Sequence, residues 1–146
     1  MNEQEHPGPI VVGIDGSVRS VEALRWAADM ARLTGAEVHA VTAWEVPVTI
    51  MLVPSYTEAD YAREARAVLD RAVAEVQESA ADVKIEKHLV QQRPALVLGE
   101  RAENAQMLVL GSHGRGDLPG MHLGSTASYC VHHAPCPVVV VRGRPA

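Results

Sequence analysis

The sequence predicts one α/β domain built on a parallel sheet with helices on both faces. Three observations carry this. Strand-like and helix-like stretches alternate regularly along the chain. Two of the strand-like runs, Ile10–Ile14 and Met107–Leu110, are apolar throughout, as strands covered on both faces must be. The length, 146 residues, suits one compact domain and leaves little room for a second. A domain of that size buries roughly two thirds of its unfolded surface and folds without a metal or disulfide. Phe is absent, so Val, Leu, Ile, Ala and Met must build the core.

The elements follow in order. Residues 1–8 read as a loose polar tail with no apolar stretch of the signal-peptide kind, and 9–146 as the domain. Pro9–Ile14 is the first strand and ends at the turn dipeptide Asp15-Gly16. Val21, Leu24, Ala28 and Ala31 recur at helical spacing and predict a helix over 18–34. Ser17 or Ser20 can cap its start, and Gly35 stands where a left-handed stop belongs. Ala36–Trp44 is the second strand. Residues 45–56 contain Pro47 and Pro54 and form a loop, apolar enough to read as a flap packed on a ligand, a partner or its own core. A helix over 57–80, capped by Thr57, leads to Val83–Val90. The polar alternation of that strand suits a sheet edge with one wet face. Pro94 fits the first position of a short helix over 94–103. Met107–Leu110, the glycine-rich loop Gly111–Leu123, a helix over 124–133 and the strand Pro137–Arg142 complete a β-α-β-α-β-α-β-α-β order. In such sheets ligands sit at the carboxyl ends of the strands where the strand order reverses. If strands one and four are neighbours, Asp15-Gly16-Ser17 and Gly111–Ser125 meet there.

Composition narrows the function. The net charge of −5 argues against general nucleic-acid binding, which needs a basic face. Cys130 and Cys136 have neither the spacing of a zinc site nor that of a disulfide framework. No run approaches the ~18 apolar residues of a membrane helix, so no membrane partner is expected and the cytoplasm is the expected location.

The loop Gly111-Ser112-His113-Gly114-Arg115-Gly116-Asp117 and its continuation Gly124-Ser125-Thr126 carry the chemistry. Glycines let backbone amides approach a phosphate, and successive inward amides form an anion nest. Gly124-Ser125-Thr126 opens a helix whose free N–H groups and dipole favour an anion. Arg115 is the nearest cation, and His113 and His122 flank the loop. A flexible surface loop is the competing reading. The pattern is no Walker A loop, because Asp117 stands where lysine would be, and no proper GxGxxG. Asp15 can accept hydrogen bonds from a ribose or simply form a turn. Val41 can present backbone to a base edge, although periodicity alone makes it core.

Gly111-(x2)-Gly114-(x9)-Gly124-Ser125 resembles the signature of the ATP-binding branch of the universal stress protein family. Ile10-Val11-Val12-Gly13-Ile14-Asp15-Gly16-Ser17 and His132-His133-Ala134-Pro135-Cys136-Pro137-Val138-Val139-Val140-Val141-Arg142 resemble that family's opening and ending. The resemblance runs from about residue 9 to 142. It implies a Rossmann-like fold with five strands in the order 3-2-1-4-5, an ATP site, with or without Mg²⁺, and a homodimer through Val138–Val141. It implies Asp15 at the ribose, backbone near Val41 at the adenine, and Gly111, Gly114, Gly124, Ser125 and Thr126 at the phosphates. Gly13 would let the first strand pass close to the nucleotide. Asp117 and Pro119 depart from the pattern. Asp117 weakens phosphate binding, recruits Mg²⁺ or, as expected here, points to solvent; Gln106 departs only locally.

No catalytic set stands out, since phosphoryl transfer needs a positioned nucleophile and metal ligands. His132 and His133 are adjacent on a helix and point about 100° apart, so no metal site is expected there. Both cysteines read as buried small hydrophobes. The sequence therefore points first to a nucleotide-binding regulatory dimer of the stress response. A slow ATPase at the same site and a nucleotide-free interaction dimer stand beside it.

Overall fold

The computed structural model describes residues 8–47, 57–117, 120 and 122–143. The chain runs β1 (Ile10–Gly13), α1 (Val18–Thr34), β2 (Val38–Trp44), α2 (Glu58–Gln77), β3 (Ile85–Gln91), α3 (Pro94–Arg101) with a 3₁₀ turn at Ala102–Asn104, β4 (Met107–Gly111), α4 (Ser125–His133) and β5 (Val138–Val141). The sheet order is β3-β2-β1-β4-β5 and every pairing is parallel. β1 therefore lies at the point where the order reverses, with β2 on one side and β4 on the other. The expected alternation and strand order are both present. The helix expected over 94–103 tightens into the 3₁₀ turn after Arg101. The tail, except Gly8, and residues 48–56 of the apolar loop lie outside the described residues.

Local chemistry sets the helix ends. Ser17 Oγ accepts from the Ser20 N–H at 3.2 Å, and Gly35 takes a left-handed φ of 79° so that its N–H reaches the Ala31 carbonyl. Thr57 and Asp60 cap α2 reciprocally, each side chain accepting from the other's backbone N–H at 3.3 and 2.8 Å. Pro94 opens α3, where its missing N–H costs nothing.

Strand alternation sends neighbouring residues to opposite layers. Ile10 and Val12 pack with Leu24, Leu69 and Val76 beneath α1 and α2, while Val11 packs with Val97, Leu98, Leu108 and Cys130 beneath α3 and α4. The α1 face against the sheet is Ala23, Ala27, Ala28 and Ala31 around Leu24, and these small side chains bring helix and sheet close together. That packing fixes the start of α1 directly over the ends of β1 and β4. β3 forms one sheet edge, with Lys87 and Gln91 exposed, and β5 forms the other. Among the described residues, no helix is long and apolar enough to cross a membrane.

Candidate functional site

The turn after β1 and the loop after β4 meet at the switch point, as their positions in the sheet require. Asp15 ties them together. Its Oδ1 accepts from the Ser17 N–H at 2.9 Å and the Ser17 hydroxyl at 2.6 Å, and its Oδ2 accepts from the Arg115 N–H at 2.9 Å. Beside this tie lies a cavity of about 190 Å³ with two chemically distinct ends. One is apolar, formed by Val41, Ala43, Pro94, Leu98 and Leu110. The other is polar and glycine-rich, formed by Asp15, Ser17, Gly111, His113, Gly114 and the first turn of α4. The N-cap of α4, Gly124, has no side-chain acceptor of its own, and the positive end of that helix lines the cavity. A flat apolar group with an attached anion matches this division.

Gly13, Asp15, Val41, Gly111, His113, Gly114, Arg115, Gly124, Ser125 and Thr126 all line the cavity. Ser112 and Gly116 do not. The Ser112 N–H donates to Val141 and its carbonyl accepts from Gly124, which buries the residue as a bolt between β4, β5 and α4. Gly116 is an exposed turn residue with φ of 82°. Val41 contributes its place on the apolar wall; its carbonyl already accepts from the Ile14 N–H at 2.8 Å.

Several glycines are present for reasons the spacing did not reveal. A Cβ on Gly13 would lie 2.9 Å from Leu110 and 3.0 Å from Leu98, so this glycine makes room for the apolar wall. A Cβ on Gly111 would lie 2.8 Å from Arg19 Cβ and 3.0 Å from the Arg19 backbone carbon, so this glycine lets α1 descend onto β4. A Cβ on Gly114 would overlap Asp15 Oδ2. Ser17 lines the cavity from the β1 turn, as its place in the sequence implies; Pro94, Ala43 and Leu98 also line it, and only the packing of distant elements identifies them.

Asp117 departs from expectation. It turns inward rather than toward solvent. Its Oδ2 accepts from the Gly114 N–H at 2.6 Å and lies where a Cβ on Gly124 would be. The attraction of a carboxylate for a helix N-terminus and free glycine amides accounts for the pose.

A second polar cluster lies at the outer edge of the sheet. His39, Glu86 and His88 offer donor atoms within 4.8 Å of one another. Arg101 has only donors, so its guanidinium must donate to His88 Nδ1, 3.0 Å away, which places the ring proton on Nε2. Lys84 bridges Glu37 and Glu86 at 3.2 and 3.5 Å. Lys84 thus supplies positive charge to both carboxylates. Burial, then Arg101 and His39, push the His88 pKa below its ordinary 6.5. Below that pH the unfolded chain protonates this ring while the folded chain resists. The His88 contribution to stability is therefore complete above pH 6.5 and is lost as pH falls through the folded value. Thermal melting should show a decline as pH falls below 6.5 that is shallower in His88→Gln. A parallel decline in both proteins would refute this assignment.

The two cysteines are free thiols, Cys130 buried and Cys136 partly exposed. Burial, with a smaller contribution from Cys136, pushes the Cys130 thiol up to about 11, and burial raises Cys136 as well.

A parallel sheet wound on both faces, with a cavity at its switch point that is apolar at one end and a glycine cradle at the other, defines an α/β protein of the Rossmann-like kind. Residues 7–142 match the model of the universal stress protein family. A universal stress protein of Mycobacterium tuberculosis is 40% identical over 134 residues, 92% of this chain and 45% of that protein. A universal stress protein from Archaeoglobus fulgidus in complex with dAMP is 27% identical, covers 92% of this chain and 97% of its own, and superposes with a TM-score of 0.69. Another universal stress protein, in complex with cAMP, is 26% identical over 94% of this chain and 98% of its own, with a TM-score of 0.68. The chain belongs to the universal stress protein family. It spans just under half the length of the curated relatives it matches.

Proposed function

We propose that the chain binds an adenine nucleotide, ATP with or without Mg²⁺, in the cavity between β1 and β4, and acts in the cytoplasm as a nucleotide-dependent regulatory dimer of the stress response. One observation carries the reading. An apolar slot and an anion cradle open into a single cavity at the carboxyl ends of adjacent parallel strands. The slot from Val41 to Leu98 suits a purine face. Asp15, already an acceptor, suits ribose hydroxyls. Gly111, Gly114 and the start of α4 suit phosphate oxygens. The nucleotide complexes of the two structural relatives favour the same class of ligand. The dimer is proposed through β5, an edge strand of four valines whose outer backbone groups would otherwise template aggregation.

Two measurements test the ligand. Small molecules released by denaturing freshly purified protein should include an adenine nucleotide. Added nucleotide should also raise the melting temperature, since ligand at 100 times its Kd contributes about 2.7 kcal/mol to the folded state. Protein that releases no nucleotide and melts unchanged in millimolar ATP and cAMP would overturn the proposal. Phosphate release that disappears in Asp15→Ala would add hydrolysis to the function.

A further inference from the structure

We infer that Asp117 is an internal competitor for the phosphate position and makes the site select its ligands by phosphate charge. The inference rests on the nucleotide reading above. The Asp117 carboxylate occupies the cradle in two ways. Its Oδ2 takes the Gly114 N–H, one of the amides a phosphate oxygen would use, at 2.6 Å. The same oxygen lies against Gly124, over the N-terminus of the nine-residue helix α4, whose N-cap brings no side-chain acceptor of its own. The nest thus already holds an anion, supplied by the chain itself.

A second carboxylate, Asp15, lies against the same Gly114. Against these two acids the cavity wall sets, among the described residues, one permanently charged cation, Arg115, which is exposed. An entering phosphate must either push Asp117 off Gly114 and the helix end or settle beside it. Displacement costs the same for every phosphorylated ligand. Coexistence costs more as the phosphate charge rises, because the repulsion scales with the product of the charges. Both routes leave a neutral nucleoside unaffected. The site therefore penalises free triphosphate most and a monoanionic cyclic phosphodiester less, and a divalent cation on the triphosphate relieves the penalty.

Isothermal titration of the full chain and of Asp117→Asn and Asp117→Gly tests this, with adenosine, cAMP, ATP and ATP plus Mg²⁺ as probes. Asparagine keeps the shape and removes the charge; glycine removes the side chain. Both variants are expected to bind ATP about tenfold more tightly than the parent, the size of losing one charge-assisted competitor. Adenosine should stay within about twofold and cAMP should fall between. Mg²⁺ should improve ATP binding more in the parent than in Asp117→Asn. If ATP binds all three proteins equally, or adenosine tightens as much as ATP, the role of Asp117 is overturned while the nucleotide reading stands. If none of the three binds any adenine ligand, both fall together.

Discussion

Replacing Asp15 with alanine is expected to weaken adenine-nucleotide binding by about 100-fold and to lower the melting temperature by about 5–10 °C. The carboxylate serves three donors, two on Ser17 and the Arg115 N–H. Hydrogen bonds to a charged group contribute roughly 1.5–3 kcal/mol each, and water recovers part of that at a half-buried site, leaving a net loss of about 2–3 kcal/mol. In a domain of this size each kcal/mol moves the melting temperature by about 2–4 °C. Asp15→Asn should fall between the parent and alanine. Its amide oxygen can keep the Ser17 contacts, but its NH₂ group would then face the Arg115 N–H, donor against donor. Calorimetry of ATP binding and thermal melting measure the two effects separately. A lower melting temperature with unchanged affinity would show that Asp15 holds the turn and does not meet the ligand.

Two alanine substitutions in the same glycine loop should fail in opposite ways. Gly111→Ala is expected to cost about 2–3 kcal/mol of stability, because its Cβ meets the Arg19 backbone 3.0 Å away and α1 cannot retreat without opening the core over Leu24. The melting temperature should drop by about 5 °C or more. In Gly114→Ala the new Cβ overlaps the Asp15 side chain, which can rotate away, and makes an ordinary contact with Asp117 at 3.7 Å. Stability should fall by only about 1 kcal/mol, because Oδ2 gives up the Arg115 N–H while Oδ1 can keep Ser17, and ATP affinity should fall at least tenfold as the carboxylate leaves its ligand-facing position. Melting curves of both variants, with and without ATP, check the contrast. Equal destabilisation of the two would contradict it.

This contrast also marks how far the sequence could be read. The alternation of elements, the apolar β1 and β4, the caps at Ser17, Thr57 and Pro94 and the meeting of the Asp15 turn with the glycine loop were all legible, because each rests on local periodicity or on one topological rule. The separate reasons for the glycines were not. The resemblance marks Gly111, Gly114 and Gly124 alike as phosphate glycines and Gly13 as a point of close approach to the nucleotide. Gly13 and Gly111 also yield space to Leu98 and to Arg19, which approach from elsewhere in the chain. Ser112 and Gly116 lie inside the motif, yet one is committed to strand pairing and the other to a solvent turn. The pose of Asp117 depends on the field of a helix that begins eight residues later, and only the folded loop brings the two together.

The hydrogen bond between Asp15 and Arg115 spans 100 residues of chain, and β1, central in the sheet, must wait for β4 to cover its second side. During synthesis the first two thirds of the polypeptide can assemble β3, β2 and β1 with their helices, but that intermediate has half a site and an open, fully apolar strand at its border. Such unpaired edges are what chaperones cover and what aggregates grow from. Messages cut short before the glycine loop would thus yield products that lack the cavity and stick to one another. The segment from β4 to β5 covers that border and closes the cavity in a single step.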